Sequence, residues 1–311
     1  MISLSRFGFG AAPIGNLYSE VSPEDALAAV DAAWETGIRF FDTAPHYGLG
    51  LSERRLGAAL AVRPRDEYVV STKVGRLLEP VEGGGDDLAN GFAVPATHRR
   101  VWDFSADGVR RSLESSVDRM GLERVDVVLL HDVDLRPEFT EQAAREAFPA
   151  LAALRDQGVV RAVGVGLNHW ETAEWFVRET GVDVVLLAGR YTLLDQSSAG
   201  FLDLCVERGV AVVAAGVFNS GVLARPEVPD DATYDYATAP DELVRRARRI
   251  AGVCARHGVT LPRAALAFPF RHPAVVSVLV GARSAEEVRA NAAHAPVPDD
   301  LWDDLRSEGL L

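Results

Sequence analysis

The chain of 311 residues has few cysteines and no long apolar run. Its two cysteines, Cys205 and Cys254, lie in segments with the apolar spacing of helices, and neither has a second cysteine or a histidine at a metal-binding distance in sequence. We interpret both as buried packing thiols and expect no metal site. No stretch approaches the roughly 20 apolar residues that span a bilayer, and the first residues do not resemble a secretion signal. The expected location is therefore the cytoplasm, away from membranes.

Positive charge is outnumbered by negative charge. The chain has 32 lysines and arginines against 45 aspartates and glutamates, a net charge of −13 at pH 7. No basic stretch is long enough to follow a phosphate backbone, so nucleic acids and anionic membranes would be repelled at long range. A small molecule is the expected partner. No exposed heptad or apolar stripe indicates an oligomeric state.

Lysine is almost absent from the sequence. Lys73 is the only lysine among the 32 basic residues, and all the others are arginine. A surface ion pair accepts either residue, whereas a buried amine that tunes a neighbouring group cannot be replaced by a bulkier guanidinium that stays charged. This distribution indicates a specific chemical task for Lys73.

The apolar residues that are present form a repeating pattern. Eight short runs rich in β-branched residues alternate with longer stretches of helical spacing, and several runs are apolar throughout, as in parallel strands covered on both faces. The predicted strands are residues 6–10, 38–42, 68–73, 125–131, 160–165, 182–187, 210–215 and 275–280. No G-x-G-x-x-G fingerprint of an open dinucleotide-binding sheet follows a strand. The pattern therefore predicts one α/β domain over residues 1–311, a TIM (β/α)8 barrel.

Two connections between predicted strands are longer than ordinary turns. They cover residues 75–104 and 216–240, and they carry the aromatic residues Phe92, Trp102, Phe104, Tyr234 and Tyr236. Long loops without structure of their own are usually functional. Both follow strands, so we expect them to cover the C-terminal face of the barrel as active-site lids.

Four titratable residues occur at the carboxyl ends of neighbouring predicted strands: Asp42, Tyr47, Lys73 and His131. A tyrosine is a poor acid or base at neutral pH, and an adjacent ammonium lowers its pKa by stabilising the phenolate. We predict that Lys73 does this for Tyr47, that Asp42 holds Lys73, and that a neutral His131 hydrogen-bonds the reacting oxygen. Proton transfer at a carbonyl oxygen, with no electron carrier among the side chains, indicates hydride transfer from a bound nicotinamide.

The sequence around these residues resembles the aldo-keto reductase family. The similar segments are GIRFFDTAPHYG at 37–48, SERRLG at 52–57, STKVG at 71–75, residues 124–131, GARS at 281–284 and Asn291. The resemblance covers nearly the whole chain. It implies a barrel, a nicotinamide cofactor and the catalytic roles named above for the four residues. Tyr47, Trp102 and His131 are expected to contact the substrate.

The resemblance also implies residues for the cofactor. These are Asn168, Gly281, Arg283, Ser284, Glu287 and Asn291. Members that prefer NADP commonly place a lysine at the position of Gly281 and an arginine at that of Glu287, so NAD is the expected cofactor and NADP the alternative. Ser284 and Glu287 also fit a helix capping box, and Arg283 could instead pair with a phosphate. Family members usually have a glutamine at Ala188 and a stacking tyrosine near Ala215 or Gly216, so the nicotinamide ring must be held differently.

Other segments indicate a branch of the family. Residues 187–194, 101–105 and 256–259 resemble bacterial aldose 1-dehydrogenases, which oxidise a cyclic hemiacetal to a lactone, and pyridoxal-oxidising enzymes are similarly close. The alternative enzyme is an NADPH-dependent reductase of general aldehydes and ketones. The alternative outside catalysis is a cofactor-sensing regulatory subunit.

Overall fold

The β-branched runs form the strands of a closed parallel barrel, as predicted. A computed structural model describes residues 2–235, 237–293 and 296–311. The barrel strands are β1 (Phe7–Gly10), β2 (Phe40–Asp42), β3 (Val69–Val74), β4 (Val127–His131), β5 (Ala162–Leu167), β6 (Val184–Ala188), β7 (Ala211–Ala215) and β8 (Val275–Gly281). Each strand pairs with its neighbour in sequence, and β1 pairs with β8 to close the barrel. The prediction of a (β/α)8 barrel is confirmed.

Helices surround the barrel. Most of them connect consecutive strands, and the last two follow β8. They are α1 (Pro23–Glu35), α2 (Leu51–Leu60), α3 (Ala106–Met120), α4 (Phe148–Asp156), α5 (Trp170–Glu179), α6 (Ala199–Arg208), α7 (Asp241–Arg256), α8 (Leu261–Ala267), α9 (Ala285–Ala292) and α10 (Asp299–Ser307). A helical turn, Thr140–Gln142, and a π-helical turn, Ala143–Ala147, lead into α4. Ser22 caps α1, and Ser284 caps α9 as predicted; each side chain accepts a hydrogen bond from the backbone N–H group three residues on.

The first long connection has structure of its own, so the prediction of an irregular loop was wrong there. Strand Arg76–Pro80 pairs antiparallel with His98–Trp102, and inside that hairpin Asp86–Asp87 pairs with Phe92–Pro95. Local cross-strand pairing satisfies backbone N–H and C=O groups of this segment. In the second connection a short 3-10 turn, Asn219–Gly221, precedes a two-stranded ribbon of Thr233–Tyr234 and Ala237–Thr238. Tyr236, named above, lies outside the described residues.

Alternation along the strands divides the barrel into an apolar interior and a polar mouth. Phe40, Val69, Val127 and Leu129 fill the interior, while the residues between them pack outward against the helices. Two residues beyond Leu129, at the carboxyl end of β4, the same inward face carries His131.

Cys205 and Cys254 are both buried, and burial raises their thiol pKa values to about 12 and about 11. Within the described residues, no helix is long and apolar enough to cross a membrane.

Candidate active site

The four predicted residues meet at the mouth of the barrel. Lys73 Nζ lies 2.7 Å from Asp42 Oδ2 and 3.0 Å from the Tyr47 hydroxyl, and it also donates to the Thr43 carbonyl oxygen at 3.0 Å. The His131 ring stands perpendicular to the Tyr47 ring with centroids 5.9 Å apart. These contacts form a buried chain from carboxylate to ammonium to phenol, with an imidazole beside the phenol.

Strand register explains why these side chains converge. Asp42 pairs with Ser71 across β2 and β3, and Lys73 pairs with Leu129 across β3 and β4. Asp42, Lys73 and His131 all occupy inward-facing positions near the carboxyl ends of adjacent parallel strands. The Ser71 hydroxyl donates to Asp42 Oδ1 at 2.6 Å, which fixes the carboxylate toward Lys73.

Tyr47 reaches the same point from a tight turn after β2. The Gly50 amide donates to the Pro45 carbonyl at 2.9 Å. Gly48 follows Tyr47 with a φ of +59°, and a Cβ atom there would lie 2.1 Å from the Gly15 carbonyl oxygen. Only glycine fits this position, so the GIRFFDTAPHYG segment specifies the turn that presents the phenol.

The predicted lowering of the Tyr47 pKa was wrong in its net direction. Burial raises the pKa of Tyr47 to about 12, and the Lys73 ammonium only partly opposes this effect. Burial by itself would lower the pKa of Lys73, but Asp42 and Tyr47 outweigh it and hold that pKa above its usual value. At neutral pH the pair is therefore a charged ammonium donating to a protonated phenol.

Two histidines at the mouth are neutral. Burial, together with Arg76 and Lys73, lowers the pKa of His131 well below its usual range. Burial and the nearby Arg76 lower the pKa of His46 to about 2, and its ring lies 5.8 Å from that of His131. A neutral His131 agrees with the predicted role of hydrogen-bonding an oxygen without carrying charge.

Sequence reasoning missed several residues beside the four. They are His46, Arg76, Arg100 and Asp132. Arg76 forms an ion pair with Asp132, and Arg100 forms one with Asp87. His46 precedes Tyr47 and Asp132 follows His131, so adjacency in sequence was the available signal for these two. Arg76 and Arg100 had no such signal, because their positions depend on the register of β3 with β4 and on the hairpin fold.

Phe92 is the aromatic residue of the hairpin that reaches the catalytic group. Its ring centroid lies 6.1 Å from that of Tyr47 and 5.2 Å from that of His46. Trp102, predicted to contact substrate, packs under the Arg76 guanidinium at 4.2 Å from the ring centroid and stacks on Phe104. Trp102 therefore adjoins the site through Arg76.

The predicted cofactor residues lie on two sides of the mouth. Asn168 directly follows β5 and donates from Nδ2 to Asp132 Oδ1 at 3.1 Å. Gly281 ends β8, and Ser284 caps α9. Glu287 accepts from the Arg283 backbone amide at 2.8 Å and lies 3.4 Å from the Arg283 guanidinium. Glu287 therefore reaches back to the start of α9, as the capping interpretation predicts.

Asn291 lies in α9 and, unlike the residues at its start, is separated from the mouth by two helical turns. It lines a small apolar cavity with Phe9 and Val280 between the barrel wall and the helix. No hydrogen bond is described for its side chain.

The mouth has features that fit a nicotinamide dinucleotide. Gly189 and Gly216 both have positive φ, and a Cβ on Gly216 would lie 3.1 Å from the Gly189 nitrogen, so the loops after β6 and β7 approach closely. Asn219, in the second of these loops, is buried. Its Nδ2 donates to the Gly189 carbonyl, while its Oδ1 has no hydrogen-bond partner among the residues that the structure describes. The unpartnered acceptor of Asn219 and the amide of Asn168 suit the carboxamide of a nicotinamide, and the backbone N–H groups at the N-terminus of α9 suit a phosphate.

The sequence matches a family model described as the Aldo/keto reductase family over residues 6–307. D-threo-aldose 1-dehydrogenase of a Pseudomonas species is 45% identical, with 100% of this chain and 95% of the relative covered. Pyridoxal 4-dehydrogenase of Microbacterium luteolum is 41% identical with the same coverage. Among solved structures, the glycerol dehydrogenase of Gluconobacter oxydans has a TM-score of 0.77 at 21% identity, covering 98% of this chain and 91% of that one. The holo form of an aldo-keto reductase of Bacillus halodurans has a TM-score of 0.74 at 23% identity, covering 98% and 92%.

Proposed function

We propose that this chain, which belongs to the aldo-keto reductase family, is an NAD-dependent aldose dehydrogenase. Membership of the family makes it an oxidoreductase that uses a nicotinamide cofactor on a small-molecule substrate. It would oxidise the cyclic hemiacetal of an aldose to a lactone. The observation that carries the proposal is the buried chain of Asp42, Lys73 and Tyr47 beside a neutral His131. The two relatives named above, which are similar over the whole chain, support a cyclic hemiacetal as the substrate class.

Each of the four side chains has a distinct task. Tyr47 removes the proton of the anomeric hydroxyl, and Lys73 stabilises the phenolate that this requires. Asp42 keeps Lys73 charged and in place. His131 donates a hydrogen bond to the same oxygen and, being neutral, does not compete for the proton. A bound nicotinamide supplies the hydride acceptor, and Asn168 and Asn219 would hold its carboxamide end.

The preference for NAD is supported by the residues after β8. Glu287 stands where a cation would favour a 2′-phosphate, and it pairs with Arg283, the remaining cation of this turn. A carboxylate repels a 2′-phosphate but can accept a hydrogen bond from a free 2′-hydroxyl.

The test is a set of initial rates on a panel of aldoses and pyridoxal, with each cofactor in turn. We expect aldose oxidation with a higher kcat/KM for NAD than for NADP. Glu287→Arg should move the ratio of the two kcat/KM values at least about tenfold toward NADP. Glu286→Arg, the same charge change at the exposed neighbour, is the control and should move it far less.

Three outcomes would overturn parts of the proposal. Oxidation of pyridoxal but of no aldose would replace the substrate class. A wild-type preference for NADP would refute the role given to Glu287 and direct attention to Arg283. Binding of cofactor without turnover of any substrate would support a regulatory subunit instead.

A further inference from the structure

A buried ion pair outside the four catalytic residues faces the reacting position. The Arg76 guanidinium pairs with Asp132 Oδ2, and the same carboxylate oxygen lies 3.4 Å from His131 Nε2. Asp132 directly follows β4 and has a φ of +46°, a left-handed conformation that turns its side chain back over the mouth. The pair is thus placed at the edge of the imidazole that meets the substrate.

The carboxylate retains capacity to bind a ligand. Asp132 Oδ1 accepts from Asn168 Nδ2 at 3.1 Å and Oδ2 accepts from Arg76, so two of about four lone-pair positions are used. The Asp132 side chain is 18% exposed, whereas those of Arg76 and His131 are 6% and 5% exposed. The open edge of this cluster is therefore the carboxylate.

Arg76 also has an unused donor. Its Nε is buried and donates to no atom of the described residues. The whole residue is only 5% exposed. A buried N–H without an acceptor is costly unless a ligand supplies one. The Arg76–Asp132 pair thus has a free acceptor position on the carboxylate and an unpartnered donor on the guanidinium, the combination that recognises a hydroxyl group.

The charge at the mouth favours a neutral ligand. The three buried cations are each matched by one carboxylate, in the pairs Lys73 with Asp42, Arg76 with Asp132 and Arg100 with Asp87. No cation of these three is left to neutralise a phosphate or carboxylate on the substrate.

We propose that Asp132 and Arg76 bind the hydroxyl on the carbon next to the anomeric carbon and so select hydroxyl-bearing sugars over simple aldehydes. This inference rests on the proposed function. The hydroxyl donates to Asp132 and accepts from Arg76, while the neighbouring anomeric oxygen lies between Tyr47 and His131. Asp132 also lies near enough to raise the pKa of Tyr47, as burial does, which agrees with a position beside the reacting oxygen.

The test compares an aldose with its 2-deoxy analogue in the wild type and in Asp132→Asn. Asparagine has the same shape and tolerates the left-handed conformation, so the variant is expected to fold. In the wild type, kcat/KM for oxidation should be about tenfold to a hundredfold higher for the aldose, the range for a hydrogen bond to a charged group. In Asp132→Asn the aldose should lose most of this advantage, mainly through KM, and the 2-deoxy sugar should change less than about threefold.

Reduction of a small aldehyde without hydroxyl groups, with NADH, reports on the catalytic residues separately. In Asp132→Asn its kcat/KM should fall at least about tenfold less than that for aldose oxidation. Asp87→Asn breaks the other buried arginine pair, which has no contact with His131 or Asn168, and is the matched control. It should leave the preference of the enzyme for the aldose over its 2-deoxy analogue unchanged.

The outcomes separate this inference from the proposed function. A wild type that oxidises an aldose and its 2-deoxy analogue equally well refutes the inference alone. Equal losses of sugar oxidation and aldehyde reduction in Asp132→Asn would also refute it and make Asp132 a positioning residue for His131 and Asn168. A wild type that reduces aldehydes but oxidises no aldose overturns the proposed function, and this inference with it.

Discussion

At the residue scale, Lys73 shows how a compact amine differs from a guanidinium of equal charge. An ammonium has three N–H donors, and Lys73 directs them to Asp42, the Thr43 carbonyl and Tyr47. A planar guanidinium cannot reach three acceptors arranged around one nitrogen in the same space. The chain uses arginine at all its other basic positions and lysine only here.

Replacement of Lys73 by arginine should therefore abolish activity almost as completely as replacement by methionine. We expect both variants to lose at least about a hundredfold in kcat, because neither can hold the phenol in a state ready for proton transfer. Steady-state kinetics with one aldose would measure this, with circular dichroism as the check on folding. An active Lys73→Arg enzyme would show that charge alone is needed.

Removal of the Tyr47 hydroxyl isolates the proton-transfer step. Tyr47→Phe should lower kcat by at least about a hundredfold and leave the Kd of NAD unchanged, because the hydroxyl touches Lys73 and not the predicted cofactor residues. Fluorescence titration would give the Kd and initial rates would give kcat. Turnover close to that of the wild type would refute the assignment of Tyr47.

The raised pKa of Tyr47 predicts that oxidation depends on pH between 7 and 9 and that reduction does not. Oxidation needs the phenolate, whose fraction increases with pH up to the pKa, so kcat/KM for oxidation should rise between pH 7 and 9. Reduction needs the protonated phenol, which is the main form throughout this range because burial places the pKa at about 12. The histidine at the reacting oxygen, His131, has a pKa held well below its usual range and adds no further transition. Oxidation that is independent of pH from 7 to 9 would contradict this.

At the scale of elements, how closely two helices pack depends on single small residues. Helices α2 and α3 pack together where Gly57 faces the end of α3, and a Cβ on Gly57 would lie 2.0 Å from the Met120 carbonyl oxygen. The obstacle is backbone, which cannot rotate away as a side chain can. By contrast, a Cβ on Gly252 in α7 would meet nothing within 4 Å.

These two glycines give a matched pair of helix substitutions. Gly57→Ala should lower the free energy of unfolding by about 1–3 kcal/mol, because the helices must separate. Gly252→Ala should raise it by about 0.5–1 kcal/mol, because alanine restricts the unfolded chain and creates no clash. Urea unfolding of both variants would measure the difference. Equal effects would mean that the contact between α2 and α3 adjusts freely.

At the scale of the whole molecule, a single buried lysine makes amine chemistry a probe of global folding. Lys73 is 2% exposed, and Asp42 keeps its pKa raised, so the native ε-amine is neither accessible nor nucleophilic. In the unfolded chain the same amine is free.

An amine-reactive ester at pH 8 should therefore modify Lys73 only when the barrel unfolds. Peptide mass spectrometry after increasing urea should show labelling of Lys73 with the same midpoint as the loss of circular dichroism. Rapid labelling of Lys73 without urea would contradict the burial of its side chain.

The sequence by itself determined the barrel and the identity of the four central residues. Continuous apolar runs such as that of β4 have one stable environment, a strand covered on both faces, and eight of them in alternation with helices close into a barrel. Inward alternation then places Asp42, Lys73 and His131 at one mouth. Gly48 fixes the turn that brings the fourth residue, Tyr47, to the same place.

Only the tertiary structure decided what surrounds them. The pairing of Arg76 with Asp132 depends on the register of β3 with β4, which brings the residues after these two strands together, and no local pattern encodes a contact between residues 56 positions apart. The net pKa of Tyr47 depends on how deeply the phenol is buried, which charge in the sequence cannot reveal. Glu287 joined the helix cap because the start of α9 brought its carboxylate to the Arg283 amide. Periodicity is a local property of the chain, whereas burial and long-range ion pairs are properties of the packed molecule.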